Sequence, residues 1–226
     1  MNDLENNNLV TVSGQVVSEP TFSHEMFGEG FYEFNIKIKR LSDIYDIIPV
    51  TISERLMVEN KINIGDRVHF SGQYRSYNKM VDNKSKLLLT IFVREFLDDV
   101  EEDENEVEIA GYVCKDPIYR TTPFNREICD VLLAVNRSYN KSDYIPCIAW
   151  GRNARYVKNF NIGDKVVVSG RIQSRTYQKK LDNGQYILKT AYEVSLNKVR
   201  LENENNVSNK DYIKTNLMGE LVNYYS

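Results

Sequence analysis

Residues 64–76 read IGDRVHFSGQYRS, and residues 162–174 read IGDKVVVSGRIQS. Ile64, Gly65, Asp66, Val68, Ser71, Gly72 and Ser76 recur in order as Ile162, Gly163, Asp164, Val166, Ser169, Gly170 and Ser174. The match extends upstream with a one-residue change of offset: Val10, Gly14, Val16, Pro20, Arg40 and Pro49 return as Val107, Gly111, Val113, Pro117, Arg137 and Pro146. A period of roughly 97 residues is too long for a solenoid repeat and suits a small domain. The chain therefore reads as two homologous domains, residues 1–97 and 106–201, with an acidic linker at 98–105 and a tail at 202–226.

Each domain reads as mostly β. In the second, Val107, Ile109 and Val113 alternate with polar or small residues, as do Val131, Leu133 and Val135, which marks strands with one buried face. A third strand covers Asp143–Trp150, and Asn153–Phe160 has helical spacing. After the turn Asn161–Asp164, Lys165–Tyr177 forms a long strand with Val166, Val168, Gly170 and Ile172 on one face. Asp182-Asn183-Gly184 supplies a hairpin turn, and Tyr186–Val199 returns as the fifth strand. The first domain repeats the plan, with strands near Leu9–Val16, Phe31–Arg40, Ile44–Ile52, Arg67–Tyr77 and Lys86–Phe96 and a helix near Glu54–Lys61. Three strands, a helix and two strands is the order of the oligonucleotide-binding barrel. The expected fold is thus all-β: two tandem five-stranded barrels of that type, each with a short helix between strands three and four.

Charge separates the halves. The whole chain carries 29 Lys+Arg against 32 Asp+Glu, a formal net charge of −3. The basic residues concentrate in the second unit, whereas seven acids crowd between Glu95 and Glu104, which reads as a solvated connector. Cys114, Cys129 and Cys147 are odd in number and lack CxxC spacing, so a reducing cytoplasm is expected and neither disulfides nor a cysteine metal site. The N-terminus lacks an apolar leader, no run is long enough to cross a membrane, and no membrane partner is expected. Enzymatic activity is not expected either. His24 and His69 both fall in the first unit, no phosphate-binding glycine loop occurs, and Cys147 has no histidine in its own domain. No cofactor is implied.

A single nucleic-acid strand is held by rings that stack on bases and cations spaced along the phosphates. On the third strand of the second unit, Ile145, Cys147 and Ala149 form the core side, leaving Tyr144 and Trp150 outward. On the fourth strand Arg171, Gln173, Arg175 and Tyr177 lie opposite the core face, with Lys179 just beyond. Strand tyrosines are ordinarily good β-formers and a charge run is ordinarily a solvated face. Here rings and cations coincide on the two strands with which this barrel holds oligonucleotides.

The runs Leu133–Arg137, Tyr144–Gly151 and Gly170–Tyr177 resemble the bacterial single-stranded DNA-binding protein family. The resemblance implies base stacking on Tyr139, Tyr144, Trp150 and Tyr177, with Arg137, Arg152, Arg171 and Arg175 as phosphate partners. The first unit departs from the pattern, with Ser42, Ile47, Ser53 and Lys79 at the ring positions, although Tyr74, Arg75 and Tyr77 keep part of the fourth-strand stripe. The family usually ends in an acidic tip that recruits replication and repair proteins. Here the chain ends ELVNYYS. Family members commonly place four barrels around the DNA, so two barrels per chain imply a homodimer. The expected function is sequence-tolerant single-stranded DNA binding in replication, repair or recombination. Alternatives are single-stranded RNA binding and a protein-interaction barrel in a replication-restart complex. In the tail, Ile213, Leu217, Leu221 and Tyr224 have the spacing of an amphipathic helix.

Overall fold

The computed structural model describes residues 7–81, 84–180 and 184–202. The expected tail helix and most of the Asp182–Gly184 turn lie outside these residues. The first unit contains β1 (Asn8–Val16), β2 (Thr21–Met26), β3 (Glu29–Lys39), β4 (Tyr45–Ser53), α1 (Glu54–Asn60), β5 (Arg67–Val81) and β6 (Lys84–Phe96). The second contains β7 (Glu104–Val113), β8 (Ile118–Thr121), β9 (Glu127–Arg137), β10 (Lys141–Trp150), α2 (Arg152–Val157), β11 (Lys165–Lys180) and β12 (Tyr186–Glu202).

Five strands close each barrel. β1 pairs antiparallel with both β3 and β5, β3 with β4, and β5 with β6, while Val50 and Ile91 register a parallel β4–β6 closure. The second unit repeats this ring through β7, β9, β10, β12 and β11, with Cys147 and Val194 in the parallel register. Inside lie the residues that alternate along each strand: Val10, Ile36, Ile48, Phe70 and Ile91 in one barrel, Ile109, Leu133, Ile145, Val168 and Ile172 in the other. Ala154 and Val157 of α2 are fully buried, so this helix plugs the barrel between its third and fourth strands. The fringe strands β2 and β8 were not expected. Every residue in them is exposed, so they lack the alternation that reveals a half-buried strand.

Both long hairpins carry a bulge at a repeated glycine, where the register shifts between Ser71 and Gly72 and between Ser169 and Gly170. A Cβ at Gly170 would sit 2.1 Å from the Ser195 carbonyl oxygen, and one at Gly72 would sit 2.3 Å from that of Phe92. Only glycine allows the strands to cross this closely and close the ring.

The two barrels join through β1 and β7, which pair antiparallel with Val10 opposite Val107, its own repeat equivalent. The junction consequently has approximate two-fold symmetry. Asn8 caps the backbone of Tyr74 (2.8 and 2.9 Å), and Asn105 caps that of Ile172 (2.8 and 2.9 Å). Asp143 accepts the Ser76 N–H at 2.8 Å, and Asp46 accepts the Ser174 N–H at 2.6 Å. The connector's Asp98, Asp99, Glu101 and Glu102 are exposed, as expected of a solvated segment, but it is also tethered to the first barrel. His69 Nδ1 meets the Asp98 carbonyl oxygen, and Arg67 donates to the Val100 carbonyl oxygen and to the Asp103 carboxylate, at 2.8 and 2.7 Å. Glu104 and Asn105 already belong to β7. Among the described residues no helix is long and apolar enough to cross a membrane.

Candidate nucleic-acid interface

Trp150, the only tryptophan in the sequence, ends β10. Its partner residues on the strand, Ile145, Cys147 and Ala149, point into the core as their parity requires. The indole keeps 37% of its surface exposed, and its Nε1–H donates to Ser195 Oγ on β12 at 3.1 Å. That bond fixes the ring while leaving one side of it open.

Tyr177 lies on the distal arm of β11 and is 38% exposed, with the Arg175 guanidinium 5.5 Å from its ring centroid. Arg175 also approaches Glu193 at 3.7 Å. Tyr139 is 94% exposed in the short helical turn Ser138–Asn140, where its φ of 63° is left-handed. Tyr144 is half-buried and packs against Cys114, Leu132 and Ala134. Arg152 is exposed at the start of α2, and Lys179 is half-buried near the end of β11.

Two of the candidate cations are engaged in the junction. Arg137 bonds the fully buried Asp143 at 3.1 Å, and Arg171 reaches Asp46 at 3.5 Å and Gln173 at 3.4 Å. Burial, followed by the like charge of Arg40, lowers the pKa of Arg171. Gln173, on the same face, is buried and bonds Glu193 at 2.7 Å.

In the first unit Tyr74 needs correction. It is wholly buried, because it continues the Val68, Phe70, Gly72 face and takes the place of Ile172. A ring inside the barrel cannot stack on a base. Arg75 lies over the Phe92 ring at 3.7 Å and bonds Gln73, and desolvation lowers its pKa to about 10. Tyr77 is surface-exposed but donates its hydroxyl to Glu33 at 2.9 Å, and burial pushes its pKa up, with Glu33 adding to the shift. Ile47 is exposed in the position of Tyr144, so this unit has no open ring at the equivalents of Tyr139, Tyr144 or Trp150.

Missing from the sequence reading were Arg40 and Arg126, which line a groove of about 590 Å³ together with Trp150 and Arg171. Arg40 was visible as a repeated residue, but its approach to the second barrel depends on how the units pack. Among the described residues no cluster of three His, Cys, Asp or Glu side chains is placed to hold a metal ion.

Taken together, the chain is a tandem oligonucleotide-binding-type barrel protein whose second barrel presents rings and cations on one outer face. Its backbone resembles the crystal structure of a deletion variant of the single-stranded DNA-binding protein from Thermus aquaticus, with a TM-score of 0.70 at 17% identity over 88% of this chain and 96% of that one. Residues 104–202, from the first residue of β7 to the last of β12, match the single-strand binding protein family. Single-stranded DNA-binding protein 3 of Clostridium acetobutylicum is 31% identical over 125 residues, covering 52% of this chain and 87% of that protein. Single-stranded DNA-binding protein 1 of Staphylococcus aureus is 37% identical over 83 residues, and the chain spans about half of its length. The chain belongs to the single-strand binding protein family.

Proposed function

We propose that this protein binds single-stranded DNA with little regard to sequence, through the outer face of its second barrel, and catalyses no reaction. The observation that carries this reading is the pair Trp150 and Tyr177. Both rings are about one-third exposed on one barrel face, beside Arg171 and Arg175. Every base has a π-face, so stacking is tolerant of sequence, and each stacked base contributes about 1–3 kcal/mol. Tyr139 and the open side of Tyr144 extend the ring set, and Arg152, Arg175 and Lys179 supply cations toward the phosphates. Arg137 acts here as a positioning residue for Asp143.

The compartment consistent with this reading, and with three unpaired thiols, is the cytoplasm. Association of two chains would place four barrels on the DNA; sedimentation should then give twice the chain mass of 26.3 kDa. Recruitment of replication or repair proteins belongs to the same reading.

Fluorescence anisotropy of labelled poly-dT, matched duplex and poly-U tests it. Wild type is expected to bind poly-dT far more tightly than duplex, with binding weakened by about 2–6 kcal/mol in W150A/Y177A, the sum of two stacking contributions. Equal affinity for duplex, or none for poly-dT, would overturn it, and preference for poly-U would assign the face to RNA.

A further inference from the structure

The groove beside Trp150 is built by both barrels. Arg40, just after β3, comes from the first unit, while Arg126, just before β9, and Arg171 come from the second. One carboxylate serves two of these three cations. Asp46 takes a bidentate bond from Arg40 at 2.7 and 2.8 Å and lies 3.5 Å from Arg171. It is almost completely buried and also accepts the Ser174 N–H at 2.6 Å, so its charge is spent inward. Arg126 has no ion pair among the described residues. Glu193, buried behind the groove and bonded to Gln173, also acts on Arg40. Three arginines thus stand against two carboxylates, and the groove keeps a net positive charge next to an aromatic wall, the combination that fits a phosphate with a base attached.

The approximate two-fold axis supplies a control within the same molecule. It maps Arg40 onto Arg137, but Arg126 onto Glu29, Arg171 onto Gln73 and Trp150 onto Ser53. The ladder registers place Phe92 opposite Gln73 where Ser195 stands opposite Arg171, and the Arg75 guanidinium lies on that Phe92 ring. The mirrored position thus has an acid in place of one arginine, an amide in place of another and no indole, but it gains Arg75 and Arg94 where the groove has Gln173 and Asn197, and the charges of Arg137 and Arg94 both act on Arg75. Both positions hold arginines, and the indole is what distinguishes this groove from its mirror.

We propose that this groove seats one backbone phosphate of the single strand among Arg40, Arg126 and Arg171, with the adjoining base on Trp150. The first barrel then takes part in DNA binding through Arg40, although it has no ring at the equivalents of Tyr139, Tyr144 and Trp150. This rests on the single-stranded DNA reading above.

The test is the salt dependence of oligo(dT) affinity, measured for wild type, R126Q, R126E, R40K and R40Q with the folded state of each checked by urea unfolding. Each phosphate contact on a single strand contributes a log–log slope of about −0.7. R126Q is expected to make the slope shallower by at most about 0.7, the share of the one phosphate, R126E to do so with a larger loss of affinity, R40K to leave the slope unchanged and R40Q to make it shallower within the same limit. Arg126 lies on an exposed hairpin, so its variants remain informative if loss of the Arg40–Asp46 pair unfolds R40Q. Wild-type slope and affinity in R126Q and R126E would overturn the groove while leaving DNA binding intact. Failure of wild type itself to bind oligo(dT) would overturn both.

Discussion

At Trp150 the polar edge of the ring is tied down and its face left free. The Nε1–H bond to Ser195 sets the orientation, and the neighbouring Ala149 is completely buried, so the ring has little freedom to collapse onto the barrel. A pre-positioned ring loses less entropy when a base stacks on it. The three cysteines show the opposite use of burial. Desolvation pushes the Cys114 thiol up to about 12 and the Cys129 thiol up to about 11, and it pushes the Cys147 thiol up as well. A raised thiol pKa means little thiolate at pH 8, and thiolate is the reactive form. Folded protein is expected to react with a disulfide reagent such as DTNB orders of magnitude more slowly than protein in denaturant, with all three thiols appearing on unfolding. Because the folded state holds these protons more tightly, their contribution to stability is complete below the unfolded thiol pKa of about 8.5 and is lost progressively above it. Rapid modification of a thiol in the native state at pH 8 would contradict the placement of these residues.

Among the elements, the long β11–β12 hairpin does the most to build the candidate site, because its proximal half closes the barrel and its distal half carries Arg175 and Tyr177. Closure depends on Gly170. Replacing it with alanine would put a Cβ 2.1 Å from a backbone oxygen that cannot move without opening the ladder, so G170A is expected to cost about 1–3 kcal/mol in urea unfolding. An unchanged midpoint would mean that the bulge is not a tight crossing. Strand parity was legible in the sequence where one face is wholly apolar, and it placed Ile145, Cys147 and Ala149 in the core and Trp150 outside. It failed at Tyr74, where an aromatic next to Arg75 was read as part of a stripe although its spacing from Phe70 assigns it to the interior. The fringe strands β2 and β8 left no pattern because neither face is buried. The connector's exposed acids Asp98, Asp99, Glu101 and Glu102 fit the solvated segment expected, but its tether to the first barrel, through Arg67 to Asp103 and His69 to the Asp98 carbonyl oxygen, is not something composition reveals.

For the whole molecule, duplication and divergence explain the division of labour. The repeat was readable as sequence, and the β1–β7 ladder turns it into an approximate two-fold with Val10 opposite Val107. Paired buried carboxylates lock the junction: Asp46 with Arg40 and Ser174, Asp143 with Arg137 and Ser76. Removing one member strands a charge, so D143A is expected to destabilise the protein by about 3 kcal/mol, read as a lower urea midpoint. On this scaffold the second barrel keeps open rings at Trp150 and Tyr139, where the first has Ser53 and Ser42, and the groove beside Trp150 combines three arginines with an indole. None of the inter-barrel contacts was legible beforehand, since they depend on how two folded units meet and not on any periodicity within them. The most direct measurement is the intrinsic fluorescence of Trp150 during titration with labelled oligo(dT), because the sequence contains no other tryptophan and the oligonucleotide label reports binding independently. Quenching of the tryptophan emission in step with the label's anisotropy is the predicted result. Binding reported by the label with no change at Trp150 would contradict the stacking platform.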